Sequence, residues 1–334
     1  SIIFKLHMKE LTITNKILNW YDINKRVLPW RKNVSHKKKQ YYTLVSEFML
    51  QQTQVATVIP YFNRFIKNIP DLETLANFEN QKLIKLWEGL GYYSRVRNLK
   101  KTAQLVVKKF DKKLPREYLE LKSLPGIGDY TASAISAIAF NKRIIPLDGN
   151  IERVLKRYLY LKKENEINKE NLIKKKEIFG YSSRASDYAQ ALMELGALIC
   201  KPSNPHCEQC PISSKCIALK KKDFLLTKIK KKNNNKYYLL KVYKDKNKYL
   251  LIKNTKFNFL KNFSIFPMQE LSKPTSSTDI VNFKMSNMNM NIKIEHKNKV
   301  GSLPTSHWID PKKLKNYTLP TFTKRIVRYL ESNK

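Results

Sequence analysis

The chain has 334 residues, room for two domains with separate cores. Its 65 Lys and Arg against 27 Asp and Glu give a formal net charge of +38, which favours a polyanionic partner through counterion release, although an abundance of Lys, Asn and Ile is also what an AT-biased genome would produce. No run is long enough for a membrane span, SIIFKLHMKE lacks the apolar core and cleavage site of a signal peptide, and all four cysteines fall between Cys200 and Cys216, so a soluble, intracellular chain without a disulfide framework is expected.

Thr14–Trp20 begins an amphipathic helix that ends near Leu28-Pro29-Trp30-Arg31, and Asn33–Gln40 reads as a polar, lysine-rich loop. From Tyr41 the apolar residues Leu44, Val45, Phe48 and Met49 recur at helical spacing with Glu47 among them; Val55, Val58, Ile59, Phe62 and Phe65 continue in a second helix. The polar cluster Gln51-Gln52-Thr53-Gln54 lies at their junction. Leu83–Trp87 leads to a glycine-broken joint, Gly89-Leu90-Gly91-Tyr92-Tyr93, and Val96–Phe110 is the next helix.

Leu121–Asn150 organises the rest. Leu124-Pro125-Gly126-Ile127-Gly128 turns into the apolar run Tyr130–Phe140, and proline and glycines together suit a tight turn with uncovered backbone N–H groups at a helix start, where an anion such as a DNA phosphate can approach. Leu147-Asp148-Gly149-Asn150 then sets a carboxylate beside a glycine. An anion cradle followed by a carboxylate suits a nucleotide whose phosphate is anchored and whose sugar meets the acid; the plainer alternative is a helix connection with Asp148 as N-cap. Helical patterns follow over Ile151–Leu161 and Tyr188–Ile199, and the absence of strand-like alternation predicts an all-α region to about Lys222.

Cys200, Cys207, Cys210 and Cys216 run C-x6-C-x2-C-x5-C, a set of thiolates that can hold either a tetrahedral zinc or an iron–sulphur cluster. Glu47 is the second feature. A carboxylate on an apolar helical face is either a solvated edge residue or a buried acid whose raised pKa keeps a proton for general-acid work. The basic Lys228–Lys236 is a linker; Tyr237–Tyr243, Tyr249–Lys253, Phe263–Pro267 and Met288–Ile294 are strand candidates, and Thr321–Leu330 a closing helix, making an α+β region.

The LPGIG hairpin, Asp148, Ser46-Glu47, Met49–Gln54, Pro29-Trp30-Arg31, Gly89–Tyr93, Ala191–Gly196 and the four cysteines together resemble the adenine DNA glycosylases of the MutY type, in the endonuclease III helix-hairpin-helix superfamily. The resemblance implies an all-α glycosylase domain over 1–222 with a six-helix lobe at about 31–145, a second lobe from 1–30 and 146–222 carrying a [4Fe–4S] cluster on the four cysteines, a linker at 223–236 and a MutT-like (Nudix-fold) domain at 237–334. It implies a base-excision-repair hydrolase that removes adenine opposite 8-oxoguanine or guanine in double-stranded DNA, acting as a monomer in the bacterial cytoplasm. Residue by residue it makes Glu47 the acid that protonates adenine N7 and Asp148 the carboxylate that stabilises the oxocarbenium-like sugar, flanked by Tyr130 and Asn150. Trp30, Arg31 and Glu194 would line the adenine pocket, Gln52, Leu90 and Tyr92 would enter the base stack, and Gly126 and Gly128 would meet the DNA backbone. Tyr130 stands where bifunctional relatives carry a Schiff-base lysine, which implies a monofunctional enzyme.

The C-terminal likeness is weaker. A hydrolytic Nudix box is missing, so this region should bind and not hydrolyse, and Met285-Ser286-Asn287 keeps the serine of the family's recognition loop, leaving Ser286 as a contact to 8-oxoguanine. Competing readings are an endonuclease III-type glycosylase/lyase, a thymine-mismatch glycosylase, or a non-catalytic DNA-binding iron–sulphur protein. Glu47 with the extra domain counts against the first two, and Glu47, Asp148 and Tyr130 against the last.

Overall fold

A computed structural model describes residues 12–226, 234–274, 280–285, 288–301, 303 and 305–333. The first half is helical: α1 Ile13–Asn24, α2 His36–Leu50, α3 Val55–Asn68, α4 Leu72–Asn77, α5 Asn80–Trp87, α6 Ser94–Lys109, α7 Tyr118–Ser123, α8 Asp129–Phe140, α9 Gly149–Tyr158, α10 Lys169–Lys175, α11 Ala185–Glu194 and α12 Ile217–Lys220. No helix among the described residues is long and apolar enough to cross a membrane.

Asn33–Gln40 is not a loop throughout. Ser35 caps α2 by accepting from the Lys38 N–H at 3.4 Å, so the helix starts at His36 and the three lysines occupy its first turn. A lysine run has ordinary helix propensity but no apolar period, which is why only the buried part of α2 is visible as a pattern.

The chain divides into two compact units: one takes Ser1–Glu79 and Ser94–Ile229, the other Asn80–Tyr93 and Lys230–Lys334. In the first unit α2 packs on α3, α6 and α8, and its buried face is Leu44, Val45, Phe48 and Met49. A second core joins α1, α9 and α11 through Ile17, Leu18, Tyr21, Ile151, Leu155 and Leu192. α11 passes without a break into a wider π turn, Leu195–Ile199, which leads to Cys200. Gly196 is required there, since a Cβ would stand 2.6 Å from the Asn150 Cβ and 2.8 Å from its carbonyl oxygen.

In the second unit β1 Asn234–Asp245, β2 Lys248–Lys253, β3 Ser264–Ile265, β4 Met268–Leu271, β5 Ile280–Met285, β6 Met288–Lys297 and β7 Ser306–Ile309 form one mixed sheet. β1 runs parallel to β6, and the other pairings are antiparallel. α13, Thr321–Ser332, buries Phe322, Ile326, Val327 and Leu330 in the core of this unit. β4, β5 and β7 carry no clear alternation of their own and are set by pairing with neighbours.

Candidate active site

α2 carries Glu47 on its buried face, 4% exposed, and the solvated-edge alternative is thereby excluded. α8 brings Tyr130, and the start of α9 brings Asp148 and Asn150, to the same cavity of about 1000 Å³, which Trp30, Arg31, Gln52 and Glu194 also line.

Burial pushes the Glu47 carboxyl up to about 7; the Tyr130 hydroxyl bonded to it and the Arg31 charge pull the other way, and the Asp148 charge adds to the rise. Its Oε2 is buried without a partner among the described residues. An acid so placed holds its proton near neutral pH, with one oxygen left for a substrate atom. Asp148 is raised from its ordinary value, chiefly by burial, against the hydrogen bonds of Ile151 and Asn150.

Those bonds show that Asp148 is both N-cap and cavity carboxylate. Its Oδ1 accepts from the Ile151 N–H at 2.7 Å and its Oδ2 from Asn150 Nδ2 at 2.9 Å. Asn150 therefore orients Asp148, whereas the hydroxyl of Tyr130 bonds to Glu47. Sequence reasoning missed Arg153, one turn along α9, which donates to Asn150 Oδ1 (2.8 Å), Gly196 O (2.7 Å) and Cys200 O (2.7 Å). It ties the cavity carboxylate to the first cysteine; the only signal was a cation three residues after Asn150.

The opposite wall is a charge cluster. Glu194 is fully buried and accepts from Arg26 Nε and Nη2, each at 2.8 Å, and pairs with Arg31 Nη2 at 2.9 Å. Burial alone would raise its pKa, but the two arginines outweigh it and hold it low. Arg31 Nε is left buried without a partner among the described residues. Arg26 was not expected, since nothing near it in sequence marks it. Trp30 is fixed edge-on to Phe62, centroids 5.3 Å apart.

At the hairpin, Gly126 has φ +79°, and a Cβ would come within 2.8 Å of Asn98 Cβ and 2.9 Å of Phe48 Cε1. Gly128 is extended at φ −91°, ψ −175°, N-caps α8 without a side-chain bond, and has nothing within 4 Å of a Cβ position. Its backbone is uncovered because the surface there is open, not because the turn demands glycine.

Leu90 and Tyr92 belong to the second unit. Tyr92 is 44% exposed with φ +48°, but Leu90 is 5% exposed. Insertion into a base stack needs a side chain that can be reached, and Leu90 is covered in the conformation described. Ser286 lies outside the described residues.

The four cysteines line one small cavity of about 30 Å³ with Arg157, whose Nη1 is 3.5 Å from Cys200 Sγ. Burial raises Cys207, Cys210 and Cys216, and neighbouring thiols of the same set raise them further. Among the described residues, no three His, Cys, Asp or Glu side chains converge as a site for one metal ion.

Residues 45–177 match the family model for the HhH-GPD superfamily base excision DNA repair protein. The chain is 42% identical over 254 residues to the adenine DNA glycosylase of Buchnera aphidicola subsp. Baizongia pistaciae, covering 76% of this chain and 67% of that one. The corresponding protein of Buchnera aphidicola subsp. Schizaphis graminum is 38% identical over 260 residues, with 75% and 73% covered. This chain belongs to the adenine DNA glycosylase family. A solved thermostable thymine-DNA glycosylase is similar at 27% identity and a TM-score of 0.55 over 62% of this chain and 95% of its own.

Proposed function

We propose that this member of the family excises adenine from double-stranded DNA in base excision repair, acting on A:8-oxoguanine and A:G mispairs by hydrolysis of the N-glycosidic bond. The observation that carries the reading is the pair of carboxyls in one cavity, one of them, Glu47, held protonated near neutral pH. Adenine is a poor anionic leaving group. Glu47 protonates N7 as the bond breaks, and Asp148, oriented by Asn150 and the Ile151 N–H, carries negative charge to the developing oxocarbenium. Arg31 and Glu194 offer a donor and a fixed charge to the base edge, and Trp30 a flat apolar wall. A base reaches this cavity only after leaving the stack, at a cost of a few kcal/mol; Gln52 and Tyr92 offset it by entering the space left. Tyr130 cannot form an imine, so the product is an intact abasic strand.

Glu47→Gln should bind an A:8-oxoguanine duplex and release adenine about 10²–10⁴-fold more slowly, and Asp148→Asn should likewise lose most activity. Turnover by Glu47→Gln near that of the parent protein would remove Glu47 from its role.

Four cysteines lining one small cavity suit a [4Fe–4S] cluster, in which each thiolate takes a different iron. Cys200, Cys207, Cys210 and Cys216 would hold it, and when bound it would fix the lysine-bearing loop beside DNA. Iron and inorganic sulphide in protein purified without oxygen support this assignment; stoichiometric zinc without sulphide refutes it. We assign 1–222 to base excision and 237–334 to a MutT-like reader of the opposite base, for which a mixed sheet with a packed helix is a fitting frame. The enzyme would work as a monomer in a bacterial cytoplasm.

A further inference from the structure

α2 ends at Leu50, Gln51 caps it, and Gln52 follows with φ +57°. That left-handed position after a helix is usually glycine, because a Cβ is strained there. Gln52 is nevertheless exposed at the wall of the catalytic cavity. Something must hold the turn.

The last carbonyls of a helix have no partner within it. Here a buried guanidinium supplies one. Arg95, near the start of α6 and 5% exposed, shares the two N–H groups of Nη1 among Phe48 O (3.2 Å), Met49 O (2.6 Å), Gln51 O (2.7 Å) and Thr53 Oγ1 (3.1 Å). A second tie joins the turn to the hairpin: Gln51 Nε2 donates to Gly126 O and Thr131 Oγ1, each at 3.3 Å. Desolvating a guanidinium is costly unless its donors are used, and Nη1 is spent on three carbonyls that precede one strained residue and on the Thr53 hydroxyl that follows it.

We propose that Arg95 is a positioning residue for base extrusion: by collecting the carbonyls of Phe48, Met49 and Gln51 it keeps Gln52 left-handed and its side chain at the cavity. The proposal rests on reading Gln52 as the side chain that fills the place of the extruded nucleotide. None of the four acceptors belongs to Glu47, Tyr130 or Asp148, so extrusion and not protonation should respond.

The test uses the full chain, with Glu47→Gln in the fluorescence measurements to stop excision, and a duplex carrying 2-aminopurine for the target adenine opposite guanine. Its fluorescence rises when the base unstacks. Gln52→Ala and Arg95→Met should both lower the extruded fraction, Arg95→Met by about tenfold, the scale of one lost charge-assisted hydrogen bond. Affinity for an undamaged duplex should stay within about twofold, since phosphate contacts are not altered. In the Glu47 background, the pH midpoint of single-turnover excision should not move. A folded Arg95→Met with undiminished fluorescence, beside a Gln52→Ala that loses it, overturns the proposal and leaves the wedge reading intact. If Gln52→Ala loses nothing, the wedge reading falls and Arg95's role with it. A lowered melting temperature with an unchanged signal from bound, folded protein would make Arg95 merely structural. Should Arg95→Met not fold, Arg95→Lys, which keeps the charge and loses the fork, is read against the same outcomes.

Discussion

Glu47 binds its proton more tightly in the folded chain than in an unfolded one, because burial disfavours the carboxylate. Two consequences follow at this residue. Excision needs Glu47 protonated, so the rate should fall as pH rises through about 7, and on the acid side it should fall as Asp148, also lifted by burial, gains a proton. A pH profile of single-turnover rates should therefore be bell-shaped, and a rate still rising above pH 8 would contradict the assignment. Stability runs the same way: the contribution is fully present below the unfolded pKa of 4.5 and is lost as pH rises through about 7. The carboxylate then burdens the fold at alkaline pH by on the order of 3 kcal/mol. Glu47→Gln should accordingly raise the melting temperature at pH 8 and leave it nearly unchanged at pH 4. Function here is held against stability.

The hairpin between α7 and α8 separates two roles of glycine. Gly126→Ala places a Cβ at φ +79° and within 2.8 Å of Asn98, and should cost about 2–4 kcal/mol of stability. Gly128→Ala meets nothing within 4 Å and should leave the melting temperature alone, yet put a methyl group over the N–H groups that DNA would approach. Thermal melts and duplex affinity for both variants check this; equal losses of stability would mean Gly128 is also a packing position. Elements with a strong period or a capping signature, α2, α3, α6, α8 and α9, were legible in the sequence, as were Glu47, Tyr130, Asp148 and Asn150 of the cavity lining. α4 and α7 are six residues each, too short for a period to emerge, and α10 lies in a lysine-rich stretch. Arg26, Arg95 and Arg153 escaped because their partners are 168, at most 47 and up to 47 residues away in sequence. Long-range pairing of an arginine leaves no local mark, whereas a glycine turn or a buried acid on an apolar face does.

At the scale of the molecule, a helical glycosylase region is joined in one chain to a mixed α/β unit. The second should act through the base opposite adenine. Preference for A:8-oxoguanine over A:G should persist in the full chain, and a truncation ending near Lys230 should reduce it; an unchanged ratio would end the assignment of this unit as a lesion reader. The central claim is adenine removal by hydrolysis, and one experiment addresses it directly. Single-turnover assays of the full chain would use duplexes carrying A:8-oxoguanine, A:G, T:G and an oxidised pyrimidine, each analysed with and without hot alkali. The two-carboxylate site with Tyr130 at the hairpin predicts release of adenine alone, with strand breakage only after alkali. Release of thymine or the oxidised pyrimidine, or strand cleavage without alkali, would contradict it.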